Sequence, residues 1–169
     1  MPTMIADGLS ARGCQRCEGA LVDLVAYRAW AEQQGIDTMS SPGEANTPVD
    51  DSRQAVQCPH CERIMTKFKV SSNTDNRLDF CNHCDAAWLD GGEWNQLQEM
   101  GLRSHLGSVF SEPWQRRVRE STASRLSEQH LQARFGADFE KIKAFKTWLQ
   151  SRPDRDDIVG WIAFSSNDG

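Results

Sequence analysis

Long apolar runs are missing from this sequence of 169 residues, of which only 38% are hydrophobic. Because a membrane span needs about 20 consecutive apolar residues, we expect no membrane-spanning helix. The first residues, 1–7, also lack a basic region followed by an apolar stretch, so no signal peptide is predicted. These absences favour a cytoplasmic protein built from one or two small domains.

Motifs that commonly mark enzymes are missing as well. The sequence has no glycine-rich phosphate loop, no nucleophile elbow and no HExxH motif. Acidic residues are plentiful, but none of them forms a recognisable acid–base pair. We therefore expect no enzymatic activity and infer no small-molecule substrate.

No cysteine stands alone in the sequence. The six cysteines form three CxxC pairs, at Cys14–Cys17, Cys58–Cys61 and Cys81–Cys84. A disulfide scaffold rarely places every cysteine in this way, and in a reducing cytosol paired cysteines are more often metal ligands. Nineteen residues separate the second pair from the third, which is the spacing of a four-cysteine zinc site. The predicted zinc ligands are Cys58, Cys61, Cys81 and Cys84.

Four thiolates fill the tetrahedral coordination that zinc prefers. No position is then left for water, so the site is predicted to be structural rather than catalytic. His60 and His83 each precede the second cysteine of a pair. We interpret both histidines as surface residues, since four sulfurs already suffice.

The segment between these two pairs has the pattern of a β-hairpin. Residues 65–70 alternate apolar and polar side chains, residues 71–76 are rich in turn formers, and residues 78–80 alternate again on a return strand. A domain of this size buries too little apolar surface to fold alone. Structural zinc contributes roughly 10–16 kcal/mol in zinc-finger peptides, so it is expected to dominate the stability here.

A short helix is predicted after the hairpin. Asp90 and Glu93 have the spacing of a capping box, with the aspartate expected to accept from the glutamate amide. The helix would run through Leu97 and Met100 and end at Gly101. Trp88 and Leu89 precede it, and we expect them to close one face of the hairpin.

Residues 58–101 resemble the bacterial transcription factor zinc-finger family, a zinc ribbon named after initiation factor IIB. The resemblance is carried by Cys58-Pro59-x-Cys61, by Leu78-Asp79-x-Cys81, and by Trp88-Leu89-Asp90-x-Gly92-Glu93 after Cys84. It implies a zinc ribbon with the same four cysteines as ligands, and by its name it implies contact with nucleic acid or the transcription apparatus. The sequence departs from the family at Ala86, where members usually carry glycine, but a small residue still fits a close turn.

The first pair, Cys14 and Cys17, allows three interpretations. Residues 14–23 align with residues 81–90 and share both cysteines, an acidic residue, an alanine and an aspartate, which suggests an internal duplication that lost its partner pair. Alternatively, the pair shares a zinc ion with another chain, which must supply two more ligands. A third interpretation is a redox pair, because the apolar run 20–31 permits a helix directly after the cysteines and a helix N-terminus lowers a thiol pKa. The βαβ pattern of a thioredoxin-like fold is absent, so a structural or metal role is preferred.

Four regions differ in composition. Residues 1–36 hold the first CxxC pair and a predicted helix that Gly35 ends, and residues 37–57 have the serine, proline and aspartate content of an exposed, mobile linker. Residues 58–102 are the predicted zinc ribbon. Residues 103–169 are predicted to be helical.

Three helices are predicted in the C-terminal region. Ser111 caps the first and Gly136 ends it, Asp138 caps the second, and Asp154 opens the third after Pro153. An apolar stripe at helical spacing follows in the second and third helices, and we interpret it as core. Its members are Phe139, Ile142, Phe145, Trp148, Leu149, Ile158, Trp161 and Ile162.

The partner is the least determined property of the sequence. Residues 101–146 carry nine basic and five acidic side chains, while the whole chain has a net charge of −5. A basic segment attracts phosphate, but these arginines spread around the helical wheel, so a solvated surface is the preferred interpretation. Six tryptophans suit either small cores or protein contacts. The candidate nucleic-acid contacts are Arg116, Arg117, Arg119 and Arg125.

The sequence therefore predicts an α+β protein: a small four-cysteine zinc ribbon, made of a β-hairpin and a short helix, with a helical C-terminal region. Its predicted function is that of a non-enzymatic zinc-binding module that resembles transcription factor zinc-finger proteins and contacts a protein partner or nucleic acid. The alternative is a thiol–disulfide redox protein that works through Cys14 and Cys17.

Overall fold

Six strands of the described chain form one antiparallel sheet. The structure is a computed structural model that describes residues 1–15, 17–35 and 55–164. The strands are β1 (Pro2–Ala6), β2 (Leu9–Gly13), β3 (Ala20–Asp23), β4 (Thr66–Lys69), β5 (Arg77–Cys81) and β6 (Ala86–Leu89). Their order across the sheet is β1-β2-β3-β6-β5-β4.

Six α-helices accompany these strands in the described ranges. They are α1 (Leu24–Gln33), α2 (Glu93–Glu99), α3 (Leu106–Val109), α4 (Glu112–Phe135), α5 (Phe139–Gln150) and α6 (Arg155–Phe164). The predicted α+β class is confirmed. The predicted hairpin does not stand alone as a small ribbon, because β4 and β5 are half of a larger sheet.

The sheet consists of two halves with the same element order. Each half has a hairpin, a CxxC turn, a third strand and a helix: β1, β2, β3 and α1 in the first, and β4, β5, β6 and α2 in the second. Arg12 pairs with Leu21 in the first half, and the residues 67 positions later, Asp79 and Trp88, pair in the second. The same offset relates the aligned pairs at Cys14 and Cys81.

The two halves join through β3 and β6. Leu21 pairs with Trp88 in this central ladder, so two positions that correspond in the halves face each other, as residues on a two-fold axis do. The strand registers therefore support the interpretation of an internal duplication. They also place residues 1–35 in the same sheet as residues 66–89, rather than in the separate N-terminal region that the composition suggested.

Alternation along the strands gives the sheet two different faces. Val22 and Leu89 belong to the main core, which packs under α1, α2, α3 and the start of α4. Leu21 and Trp88 belong to a second, smaller cluster that contains buried cysteines. Trp88 and Leu89 therefore point to opposite faces, which corrects the expectation that both close one face of the hairpin.

The predicted N-terminal helix starts later than expected. Its apolar run begins as strand β3, and α1 starts only at Leu24, where the Asp23 carboxylate accepts from the amides of Val25 and Ala26 at 2.9 Å each. Gly35 follows the helix with a positive φ of 63°, as expected for its end. β1 and β2 had not been predicted.

The predicted linker, residues 37–57, lies outside the described residues up to position 54. Its last residues belong to the fold, because the amide of Met65 donates to the carbonyl of Val56 at 2.9 Å and Gln57 forms a bridge with Ile64.

The chain divides into two compact units, Met1–Ala123 and Ser124–Gly169. The first contains the sheet, and α4 begins there as predicted, with the Trp114 amide donating to the Ser111 hydroxyl at 3.4 Å. In the second unit, α5 starts after Asp138 as expected, but that side chain makes no capping hydrogen bond. It forms an ion pair with Lys141 instead, at 2.8 Å.

The apolar stripe of α5 and α6 is not the core that the spacing suggested. Phe139 is buried in the second unit, whereas Ile142, Phe145 and Trp148 each expose more than 40% of their surface. Trp161 on α6 is 73% exposed. Within the described helices, none is both long enough and apolar enough to span a membrane.

Candidate metal centre

The residue that follows each of the three CxxC pairs has the same backbone conformation. In the part of the chain that the structure describes, the non-glycine residues with positive φ are Glu18 (57°), Glu62 (61°) and Asp85 (47°), and each directly follows a CxxC pair. A left-handed residue at this position reverses the chain within one turn. The three turns are thus variants of one local structure.

Hydrogen bonds reinforce this likeness between the first two turns. The amide of Cys58 donates to the carbonyl of Arg63 at 2.8 Å, and the amide of Glu62 donates back to the carbonyl of Cys58 at 2.8 Å. The first turn repeats both bonds: Cys14 donates to Gly19 at 2.8 Å and Glu18 donates to Cys14 at 3.2 Å. In the third turn, Cys81 pairs with Ala86, again five residues on.

The second and third turns bring four sulfurs together. Every pair among the Sγ atoms of Cys58, Cys61, Cys81 and Cys84 lies within 4.8 Å. Cys58 and Cys84 are 4.0 Å apart, and Cys61 and Cys81 are 3.5 Å apart. Sulfurs around a tetrahedral zinc ion, at about 2.3 Å from the metal, are separated by roughly 3.8 Å. The four cysteines can therefore hold one metal ion, and they are free thiols rather than disulfides.

The first half of the sheet forms part of the wall of this centre. Leu21 from β3 packs with Cys58, Cys81, Met65 and Trp88 in the smaller apolar cluster. Cys58 and Cys81 are almost fully buried, at 1% and 2% exposure, while the other two cysteines are half-buried. The sequence gave no signal for the role of Leu21, because it depends on pairing between strands more than sixty residues apart.

Without a cation, the Cys84 thiol resists ionisation. Loss of hydration, together with hydrogen bonding between the Cys84 thiol and Cys61, Cys81 and Cys58, raises the pKa of Cys84 to about 12. A bound divalent ion reverses this effect, because its charge stabilises several thiolates at once. Metal binding at this centre must therefore release protons.

An open cleft of about 640 Å³ lies beside the centre. Its lining residues include Cys61, Cys84, His60, His83 and Arg12. Both histidines are exposed, as predicted, and the guanidinium of Arg12 donates to Nδ1 of His60 at 2.7 Å. Among the described residues, the group with metal-binding geometry contains the four cysteines and neither histidine.

Cys14 packs against the smaller apolar cluster that contains Cys58 and Cys81, but among the described residues neither Cys14 nor Cys17 belongs to the group with metal-binding geometry. Cys17 is exposed and Cys14 is half-buried. Strand β3 follows them, so the pair is not at a helix N-terminus, where the redox interpretation had placed it. A hydrogen bond with the Gly19 backbone lowers the pKa of Cys17. The hydrogen bond with the Cys14 thiol and the loss of hydration raise that pKa, and the net shift is upward.

The four arginines considered for nucleic-acid contact all lie on α4. Arg116, Arg117 and Arg119 are exposed, and Arg125 is half-buried. Arg119 forms an ion pair with Glu112 at 2.5 Å, and the Arg117 guanidinium lies 5.6 Å from the ring of Trp114. These two cations already have partners on the same helix.

Comparison with known proteins found no match. No family model, no curated protein and no solved structure matches the chain. The resemblance of residues 58–101 to a zinc-ribbon family therefore rests on its sequence motifs alone.

Proposed function

We propose that this chain is a non-enzymatic zinc-binding module of the cytoplasm. The observation that carries the proposal is the cluster of four cysteine sulfurs with the separations of a tetrahedral thiolate site. Zinc is the metal that most commonly takes four cysteines in this geometry. A reducing compartment keeps all six cysteines available as thiols.

The role of the metal in this proposal is structural. Four sulfurs complete the coordination of zinc, so no site is left for a substrate or for an activated water molecule. The ligands come from two turns that are held in one sheet, so the ion cross-links the entry to β4 with the exit from β5. The resemblance to transcription factor zinc-finger proteins adds the proposal of a zinc ribbon with a transcription-related regulatory role.

Within this function, we favour a protein partner over nucleic acid. Ile142, Phe145 and Trp148 form an exposed apolar face on α5, which we call the α5 face. The rings of Phe145 and Trp148 lie 5.6 Å apart, and exposed aromatic groups of this kind are typical of protein contact surfaces. The arginines of α4, by contrast, do not form a stripe, and two of them are already paired.

The redox alternative has less support. A reactive cysteine needs a lowered pKa, which a helix N-terminus or a cationic neighbour supplies. Cys17 has neither a helix directly after it nor a lowered pKa. Its turn has the backbone of the metal-binding turn at Cys58 instead.

Metal analysis tests the zinc proposal. We expect protein purified under reducing conditions to carry at least one zinc ion per chain. Cys58→Ser should lose that ion, and the sheet of this variant should be unfolded. Cys14→Ser is the matched control, since it removes a thiol from an equivalent turn and should leave the ion in place. Metal-free protein that stays fully folded in a strong chelator would contradict the proposal.

Partner choice is tested with two pairs of substitutions. Phe145→Ser with Trp148→Ser should abolish capture of protein partners from the native host, whereas Arg116→Ser with Arg117→Ser should leave it unchanged. Neither pair touches the metal centre, so zinc content serves as the control for both. Nucleic-acid affinity that falls steeply with salt, and is lost with the arginine pair, would show that we have chosen the wrong partner class.

A further inference from the structure

The first CxxC turn has the structure of a metal-binding turn but lacks half of a site. Its two backbone hydrogen bonds and the positive φ of Glu18 match those of the turn at Cys58, residue for residue. Zinc takes four ligands, and this turn offers two thiols. Among the described residues, no further group of three or more cysteine, histidine or acidic side chains includes Cys14 or Cys17.

The turn is rigidly supported and accessible at its tip. Trp88 packs so closely against Gly19 that a Cβ there would lie 2.3 Å from the indole, and the indole is held by a 2.7 Å hydrogen bond to Asp90. Cys17, by contrast, is exposed, as is Gln15 between the cysteines. A second molecule can therefore reach the exposed Cys17 and the half-buried Cys14 beside it from the tip of the turn.

Two acidic residues lie near the turn. Glu18 follows the pair directly, and the Asp90 carboxylate accepts from the Trp88 indole that packs on Gly19. A divalent ion would satisfy both the sulfurs and the acidic surroundings.

We propose that Cys14 and Cys17 are half of a second zinc site, and that a second copy of this chain supplies the other half. Two copies of the turn bring four thiols, which release four protons and bind one zinc ion with the same four-sulfur chemistry as the main centre. A two-fold axis through that ion uses identical ligands from both copies, so the assembly closes at a dimer. The first turn thus becomes a zinc-dependent dimerisation element.

Zinc content and mass, measured together under reducing conditions, test this inference. We expect native mass spectrometry to show a dimer with three zinc ions, about 1.5 per chain, since each chain fills its own centre and shares one further ion. The variant with Cys14→Ser and Cys17→Ser should be a monomer with one zinc ion and an unchanged melting temperature of the sheet. Gln15→Ser, an exposed position within the same turn, is the matched control and should remain a dimer with three ions.

Three results would overturn the inference. They are a wild-type monomer with one zinc ion, a dimer that persists in the double-cysteine variant, and a dimer that a phosphine reductant dissociates while zinc content stays constant, which would be a disulfide. A chain with no zinc at all would instead contradict the main metal centre, so the two proposals fail separately.

Discussion

At Gly19, the first CxxC turn packs against β6 too closely to admit a side chain. A Cβ at this position would lie 2.3 Å from Cζ2 and 2.8 Å from Cε2 of Trp88, with the carbonyl oxygen of Leu89 at 3.1 Å. The indole cannot swing away freely, because its Nε1 donates to Asp90 and the ring is 6% exposed. Only glycine leaves room for the Trp88 indole of β6 against the first CxxC turn.

Gly19→Ala should therefore destabilise the sheet. Forcing a methyl group into a packed contact typically costs about 1–3 kcal/mol, and we expect a loss in this range from urea unfolding with zinc present. Gly107→Ala on α3 is the control, because its Cβ would meet ordinary contacts at 3.9 Å. Equal stability of the two variants would show that Trp88 is not fixed as described.

At the residue scale, the clustering of Cys58, Cys61, Cys81 and Cys84 was predictable from the sequence. The four cysteines could be identified because ligand spacing is local: each pair needs one turn, and the two turns need one hairpin. The contribution of Leu21 could not be foreseen, since it depends on the pairing of β3 with β6. Half of the predicted capping box is present, as Glu93 accepts from the Asp90 amide at 2.7 Å, but the Asp90 carboxylate accepts from Trp88 instead.

At the scale of elements, helix α1 is tied to the segment before α3 by one buried hydroxyl. Tyr27 donates to the carbonyl of Arg103 at 2.7 Å and accepts from the amide of Leu106 at 3.2 Å. The Arg103 guanidinium also lies 4.7 Å from the ring of Trp30, on the same helix as Tyr27. Because α1 follows β3 and α3 comes after the second half of the sheet, this contact joins distant parts of the chain across the main core.

Tyr27→Phe should weaken this junction by about 1–2 kcal/mol, because it leaves a buried carbonyl and a buried amide without their partner. Burial raises the pKa of Tyr27 to about 12 from the ordinary value of 10. A group whose folded pKa is raised contributes stability that is complete below the unfolded pKa and is lost as pH rises through the folded pKa. The stability difference between the two proteins should therefore shrink between pH 10 and 12.

The measurement is direct, because Tyr27 is the single tyrosine in the chain. Phenolate absorbance of the folded protein reports its ionisation, and urea unfolding at each pH gives the stability of both proteins. Titration of the folded phenol at its ordinary pKa would contradict the buried hydrogen bonds.

Elements were predicted well where a pattern is long or has clear ends. The start of α4 after Ser111 and the end of α2 before Gly101 follow from capping chemistry. Strands β3 and β6 were missed because each has four residues, and short apolar runs do not distinguish a strand from a buried helix. The α5 stripe was assigned to a core because periodicity shows that a face is apolar without showing what covers it.

At the scale of the whole molecule, the four-cysteine cluster and the first half of the sheet are packed together. β3 pairs with β6, Leu21 packs against the buried cysteines, and Val22 and Leu9 share the main core with Leu89. Composition suggested that residues 1–36 and 58–102 are separate regions, because it cannot show that distant strands pair in one sheet. In the structure, both lie in the unit Met1–Ala123.

Zinc removal should therefore unfold both halves of the sheet together. The four ligands lie in the second half only, yet the loss of the ion also removes the surface on which Leu21 and the β3 ladder pack. We expect a strong chelator to raise the amide hydrogen exchange rates of β1–β3 as much as those of β4–β6, as in one cooperative unit. The variant with Cys14→Ser and Cys17→Ser keeps the main centre, so before chelation it should show wild-type protection and after chelation the same collapse. Protection that persists in β1–β3 while β4–β6 exchange freely would mean that the first half folds without the metal, and that the shared sheet does not couple the two halves.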